Sequence, residues 1–219
     1  MVKKRFAYAK RFLLYTDGTE ENMLVWILII LGVVALDQAT KILVMNFLDR
    51  DTPFVLIEGV FRFNYVENAG AAFGMFDDNR WVFMIIATLG IIAMFVYLWK
   101  FRPESKLACV ALSMIIGGGI GNMIDRCFYQ GTLPGTLGKN VVIDFLDFYA
   151  FPNLWSYVFN VADSFVCVGA GILMVWCIVS IITDTKKEKQ KKAQEAAAME
   201  QKGEADEETS KEKEKTEDN

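Results

Sequence analysis

The stretch YVFNVADSFVCVGAGILMVWCIVSII, residues 157–182, decides how the rest of the chain is read. Apart from Asp163 it carries no charge, and it is longer than the ~20 residues with which an α-helix crosses ~30 Å of hydrocarbon. Only its head is polar, where Asn160 and Asp163 stand at the mouth of a segment otherwise built for lipid. An ionisable group at that depth is costly unless it is paired or neutralised, so these two residues call for a partner or a task.

Three further segments, about 23–45, 81–99 and 107–124, have the same length and character. They account for a chain that is 53% apolar although 23% of its residues are charged. The first runs into DQATK at 37–41 and not into a small-residue cleavage site, which predicts a retained anchor and not a removable signal peptide. Lys and Arg flank the spans at Lys3, Lys4, Arg5, Lys10 and Arg11, at Lys100, Arg102 and Lys106, and at Lys186, Lys187, Lys189, Lys191 and Lys192. With four spans all these clusters fall on one side, so the positive-inside bias predicts that both termini are cytoplasmic. The longer connections, about 46–80 and 126–157, then lie outside. They carry Phe61, Phe63, Tyr65, Phe148, Tyr149, Phe151, Trp155 and Tyr157, a composition for the membrane interface, and VFRFNYVEN has the character of a strand. The expected fold is an all-α membrane protein, four transmembrane helices with a small extracytoplasmic β-rich subdomain. Residues 1–22 form a cytoplasmic segment, 23–182 the four-span domain and 183–219 a charged tail. Lys and Glu dominate that tail and no aromatic residue occurs in it, so disorder or a frayed helix is expected. KKEKQKK has the charge to touch anionic head groups, but the positive-inside flank already accounts for it.

Several chemistries are excluded at once. The chain has no His, which removes Ser-His-Asp and Cys-His catalysis, His-ligated zinc and HExxH peptidases. Cys109, Cys127, Cys167 and Cys177 show no CxxC spacing and read as small apolar residues, not as metal ligands or a disulfide framework. No metal site is expected. Gly117, Gly118, Gly119 and Gly121 are followed by no GK[ST] and lie inside a span, where close helix packing explains them better than phosphate binding.

What remains is a set of acids and amides at the outer ends of the spans: Asp37, Asn122, Asp125, Arg126, Asn160 and Asp163, with Asp144 and Asp147 in the loop before the last span. Each has a plain structural reading. Asp37 and Lys41 have the i, i+4 spacing of an ion pair, Asp125 and Arg126 the position of a head-group anchor, and Asn160 or Asp163 that of an N-cap. Taken together, those readings do not account for so many acids and amides converging on one membrane face.

Five motifs in order, DQATK at 37–41, VENAGAAFG at 66–74, GGGIGNMIDR at 117–126, VVIDFLDF at 141–148 and FNVADS at 159–164, give a chain that resembles lipoprotein signal peptidase, the type II signal peptidase of bacteria. The resemblance spans about residues 23–182. It implies an aspartic endopeptidase of the inner membrane whose catalytic pair falls on Asp144 and Asp163. Two carboxylates sharing one proton hydrolyse a peptide bond without His or metal: the ionised one takes a proton from water while the protonated one polarises the scissile carbonyl. Such a pair titrates as a unit, and Asp163 opens a helix, where the dipole favours an anion. By the same resemblance Asn68, Gly70, Asn122, Arg126 and Asn160 bind the substrate backbone and orient the pair, with Arg126 also suited to a lipid head group. Gly70, Ala71 and Ala72 let a peptide pass close by, and Asp37, Lys41 and Asp125 are structural. The implied substrate is a prolipoprotein cut just before a diacylglyceryl-modified Cys, the implied partners are that substrate and membrane lipid with no nucleic acid, and the implied enzyme is a monomer without cofactor in the plasma membrane, its site at the extracytoplasmic face.

Two features depart from the family pattern: the long insertion CFYQGTLPGTLGKN after Arg126, and the charged tail. The competing class is a small proton-coupled transporter with Asp37, Asp125 and Asp163 as relay. It would place acids near mid-span and repeat one half in the other, whereas the acids here sit at span ends and the halves differ. A non-catalytic scaffold would leave the paired acids unexplained.

Overall fold

The computed structural model describes residues 19–70, 80–101, 103, 105–151 and 157–217. In chain order the elements are helix α1 (Thr19–Phe47), strands β1 (Phe54–Ile57) and β2 (Phe61–Asn68), helix α2 (Arg80–Val96) continued by a π-helical turn (Tyr97–Phe101), helix α3 (Lys106–Phe128), strands β3 (Val142–Phe148) and β4 (Val158–Phe159), and helix α4 (Val161–Glu217). Four segments are long and apolar enough to cross a membrane: Met23–Phe47, Met84–Phe101, Lys106–Phe128 and Val161–Gln190. The chain is a multi-pass membrane protein with a small antiparallel sheet. Leu24, Leu28, Leu31, Ile85, Ile86 and Leu89 are exposed large apolar residues on the spans, which in water would be a liability and in lipid is the expected outer surface.

The chain divides into two units, Met1–Leu173 and Met174–Asn219. Inside the first, Trp26, Ile30, Leu98, Cys109, Leu112 and Ile116 form the buried core between α1, α3 and the turn after α2. Helix α3 is the hub, and its glycines are the reason. A Cβ at Gly117 would lie 2.8 Å from Val33 Cβ, one at Gly118 would run into the carbonyl oxygen of Ala162, and one at Gly121 would lie 2.5 Å from Asp37 Oδ2. The absent side chains let α1 and the start of α4 approach the α3 backbone, which is how helices gain contact where lipid supplies no hydrophobic drive. Ser105 caps α3, its side chain accepting from the Ala108 N–H.

The strands form one sheet in the order β1-β2-β3-β4, every pair antiparallel. VFRFNYVEN supplies β2, as its pattern predicts. Asp144 pairs with Val66 and Asp147 with Arg62, with a register shift between Phe63 and Val66. Successive strand residues face opposite ways, so Tyr65 and Glu67 turn to one face and Val66 and Asn68 to the other. Tyr65, Val141 and Ile143 pack under the sheet against Val44, Met45 and Leu48 of α1 and its end.

The insertion after Arg126 closes on itself. Gly131 N–H donates to Lys139 O, Val141 N–H to Tyr129 O and Gly138 N–H to Gly131 O, with Gly138 at positive φ. The second unit is the C-terminal part of α4, where Val175, Ile178, Val179 and Ile181 are exposed. The charged stretch beyond Ile182, expected to be disordered or a frayed helix, continues as helix to Glu217. Ala, Glu, Lys and Gln are strong helix formers, and a helix begun in the span needs no new nucleus. Residues 1–18, most of the expected N-terminal segment, lie outside the described residues.

Candidate active site

The acids and amides picked out along the sequence converge where α1, α3, α4 and the sheet meet, within the first unit. Asn160 stands between β4 and α4. Its side-chain oxygen accepts from the Asp163 N–H at 2.9 Å while Asp163 Oδ2 accepts from the Asn160 N–H at 3.2 Å. This reciprocal capping box satisfies two orphan donors of the helix start, so the N-cap reading of these residues holds and does not compete with a chemical one. The amide left over, Asn160 Nδ2, donates to Asp144 Oδ1 at 2.7 Å and to Asn122 Oδ1 at 2.9 Å. Asn160 therefore touches both Asp144 and Asp163.

Asp144 is only 3% exposed. Its second oxygen accepts from Asn68 Nδ2 at 2.9 Å, a diagonal cross-strand contact, and Asn68 Oδ1 accepts from the Gly70 N–H at 3.1 Å, which fixes that amide. Burial, then the neighbouring charge of Asp163, pushes the Asp144 carboxyl up to about 7, against the pull of the Asn68 and Asn160 amides and of Lys41. Asp163 Oδ1 accepts from Asn122 Nδ2 at 2.7 Å. Arg126 donates to Gly70 O at 3.1 Å. Asn68, Gly70, Asn122, Arg126 and Asn160 thus join one network. Ala71 and Ala72 lie outside the described residues.

Behind this network is a second polar layer, entirely buried. Lys41 Nζ lies 2.8 Å from Asp37 Oδ2 and 2.7 Å from Asp125 Oδ2, and all three side chains are 0% exposed. The i, i+4 pair anticipated for Asp37 and Lys41 is present, and the structure adds Asp125 to it. Of the structural readings open to Asp125, the head-group anchor does not fit: its carboxylate points inward, to the Lys41 ammonium. Asp37 Oδ1 also accepts from the Ala162 N–H at 2.9 Å, so a carboxylate of α1 caps the first turn of α4. Gln38 Nε2 ties Asp125 Oδ1 at 2.7 Å to the Gly121 carbonyl at 3.1 Å. No buried side-chain polar atom among the described residues lacks a partner.

Two acids differ in use from Asp144. Asp147 turns to the other face of β3, where Arg62 Nε at 2.6 Å and Asn64 Nδ2 at 3.1 Å hold its Oδ2. Glu67 belongs to the VENAGAAFG motif. Its buried carboxylate gathers the insertion, accepting from the Thr132 and Leu133 N–H groups and from the Thr132 and Thr136 hydroxyls. Burial pushes Glu67 up, but those hydrogen bonds outweigh it and hold the carboxyl down at about 2. The only sequence signal was alternation: Glu67 lies on the strand face opposite Asn68, with two Thr residues in the insertion to receive it.

The family model described as "Signal peptidase (SPase) II" matches residues 29–179. The chain belongs to the signal peptidase II family. Among its relatives, the lipoprotein signal peptidase of Clostridioides difficile is 38% identical over 155 residues, covering 71% of this chain and 95% of that one. That of Caldanaerobacter subterraneus subsp. tengcongensis is 44% identical over 147 residues, 67% and 91% of the two chains. A solved bacterial membrane enzyme, determined by the in meso method at 2.3 Å resolution, is 28% identical with a TM-score of 0.60 over 78% of this chain and 91% of its own. A second, at 1.9 Å, gives a TM-score of 0.59 at 27% identity over 74% and 94%. As a signal peptidase II family member the chain is a peptidase, and nothing in these comparisons favours a transporter. The match contains all five motifs and ends before the charged part of α4.

Proposed function

We propose that the chain is an aspartic endopeptidase that removes signal peptides from diacylglyceryl-modified prolipoproteins, cutting before the lipidated Cys. Asp144 and Asp163 are its catalytic pair. The observation that carries this reading is the sharing of Asn160, which receives Asp163 on its backbone and reaches Asp144 with its amide. Asp144, the more buried of the two acids, carries the shared proton, and Asp163, less buried and in the first turn of α4 where the helix dipole favours an anion, is the ionised partner. A water between them loses a proton to Asp163 as its oxygen bonds to the scissile carbonyl carbon, while Asp144 gives its proton to the carbonyl oxygen. Collapse returns that proton to Asp144 and passes the one on Asp163 to the departing amine. The acids need no metal and no other cofactor for these steps.

Asn68, Gly70 and Asn160 line and orient the pair, Asn122 holds Asp163, and Arg126 is suited to the substrate backbone or a lipid head group. Asp37, Lys41 and Asp125 clamp the helices. Charge bias assigns both termini to the cytoplasm and the sheet to the extracytoplasmic face, where a product keeps its acyl chains in the bilayer. The enzyme acts as a monomer. Purified enzyme in detergent, given a diacylglyceryl prolipoprotein, should release the signal peptide and leave the lipidated Cys at the new N-terminus. Cleavage of an unlipidated precursor at equal rate, or no cleavage of either, would overturn the reading.

A further inference from the structure

The buried ammonium of Lys41 does more than join helices. Lys41 Nζ donates to Asn122 Oδ1 at 3.0 Å, and Asn160 Nδ2 donates to the same oxygen at 2.9 Å. A carboxamide has one acceptor oxygen and one donor nitrogen. With two donors aimed at its oxygen, the Asn122 amide can turn only one way, and its Nδ2 then meets Asp163 Oδ1 at 2.7 Å. A flipped amide would bring its N–H groups against the Lys41 and Asn160 donors and its oxygen against a carboxylate, leaving buried groups unsatisfied on both sides.

We propose that Lys41 is a positioning residue for the reaction: acting through Asn122, it fixes the donor that orients Asp163, and so couples the buried Asp37–Lys41–Asp125 cluster to the catalytic pair. The proposal rests on the assignment of Asp144 and Asp163 as that pair. The charged groups around the pair are Asp37 and Lys41 from α1, Asp125 and Arg126 from α3, Asp144 from β3 and Asp163 from α4, interleaved with the amides of Asn68, Asn122 and Asn160. Among them the charge of Lys41 also draws the Asp144 carboxyl downward, against burial and Asp163. Loss of the ammonium should therefore show in the protonation of the pair as well as in its geometry.

Removing Lys41 alone leaves Asp37 and Asp125 buried without their cation, which endangers folding. The test is the charge-balanced double variant Lys41→Met/Asp125→Asn, in which both the cation and one carboxylate are removed. Purified to the same monodispersity and melting temperature as wild type, it should cleave a diacylglyceryl prolipoprotein with kcat about 100-fold lower and KM within about threefold, the signature of a misplaced reacting group. Its alkaline pH limb should move to higher pH. A purely structural role predicts a wild-type kcat in the folded variant, whatever the limb does, and that result overturns the proposal. Should the double variant not fold, the wild-type chain labelled with 15N-asparagine decides the question. The Asn122 side-chain NH2 signal, identified by its loss in Asn122→Ser, should exchange slowly with solvent and shift as the pair titrates. Exchange at the rate of a free amide would refute a locked Asn122. Asp144→Asn and Asp163→Asn keep the two ideas apart: if either cleaves normally the dyad itself is misassigned, whereas dead dyad variants beside a fully active double variant reject Lys41 alone.

Discussion

Asp144 and Asp163 stand 19 positions apart in number and meet through one asparagine, Asn160. Asp144→Asn and Asp163→Asn should each abolish cleavage, because an amide cannot exchange the proton that the attacking water must lose. The double variant should be scarcely slower than either single, since residues acting as a unit are strongly non-additive. Kinetics at equal membrane abundance decide this, and additive losses would argue for independent roles. Asp147→Asn should keep most activity: its carboxylate faces Arg62 and Asn64 on the other side of β3. The Asp144 carboxyl, raised to about 7 chiefly by burial and then by Asp163, is expected to set the pH behaviour of the proposed reaction. Being raised, it keeps its proton through the acid range and loses it as pH climbs through about 7, so kcat/KM should fall on that alkaline side. The same shift favours the fold at low pH, and that contribution is lost between the ordinary carboxylate range and about 7. A profile flat from pH 6 to 9 would remove Asp144 as the proton carrier.

Among the elements, β2 serves two surfaces because its residues alternate. Asn68 presents an amide to Asp144, and one residue earlier Glu67 turns away to hold the insertion by Thr132, Leu133 and Thr136. Glu67→Gln replaces an acceptor with a donor that faces N–H groups. Hydrogen exchange should then speed up at the Thr132 and Leu133 amides by about tenfold or more, the kinetic equivalent of the ~1.5–3 kcal/mol that hydrogen bonds to a charged group contribute. Here the pH dependence has the opposite sign to that of Asp144. The Glu67 carboxyl is held at about 2, so its contribution is complete above the ordinary glutamate value and lost as pH falls towards 2. Unchanged exchange in the variant would mean that the backbone bridges between Gly131 and Lys139 hold the insertion unaided.

Taken as a whole, the molecule holds the proposed active site within the first unit, and its longest element is α4. The charged part of α4 lies beyond residue 179, where the family match ends. Truncation after Lys192 retains the basic flank to which the proposed orientation is owed and removes only residues past the match, so insertion and cleavage should both persist. Quantitative cleavage assays in membranes with matched enzyme levels test this. A truncated chain that inserts normally yet cleaves less than about a tenth as fast, a loss of ~1.4 kcal/mol in transition-state stabilisation, would assign the segment a part in catalysis.

The four spans, the strand at VFRFNYVEN and the ordered motifs were legible in the sequence, because each is a local property. A run of apolar residues spans a bilayer by length, at ~1.5 Å per helical residue, and a strand reveals itself by alternation. The candidate acids were legible too, since polar groups at span ends are costly and few. Partners were not. Asn122 meets Asp163 across 41 positions, Asn68 meets Asp144 across 76 and Lys41 meets Asn122 across 81, separations that carry no periodic signal. Asp125 could be read as an anchor and Glu67 passed over because neither shows, in sequence, the cation or the hydroxyls it faces. The tail, whose composition suggested disorder or a frayed helix, continues the span as helix to Glu217, because the span already supplied its nucleus. Composition and period thus determined which segments enter lipid and which residues must find partners; the tertiary structure decided which partners they find, because a hydrogen bond requires donor and acceptor within about 3 Å and only packed helices and a registered sheet bring distant residues that close.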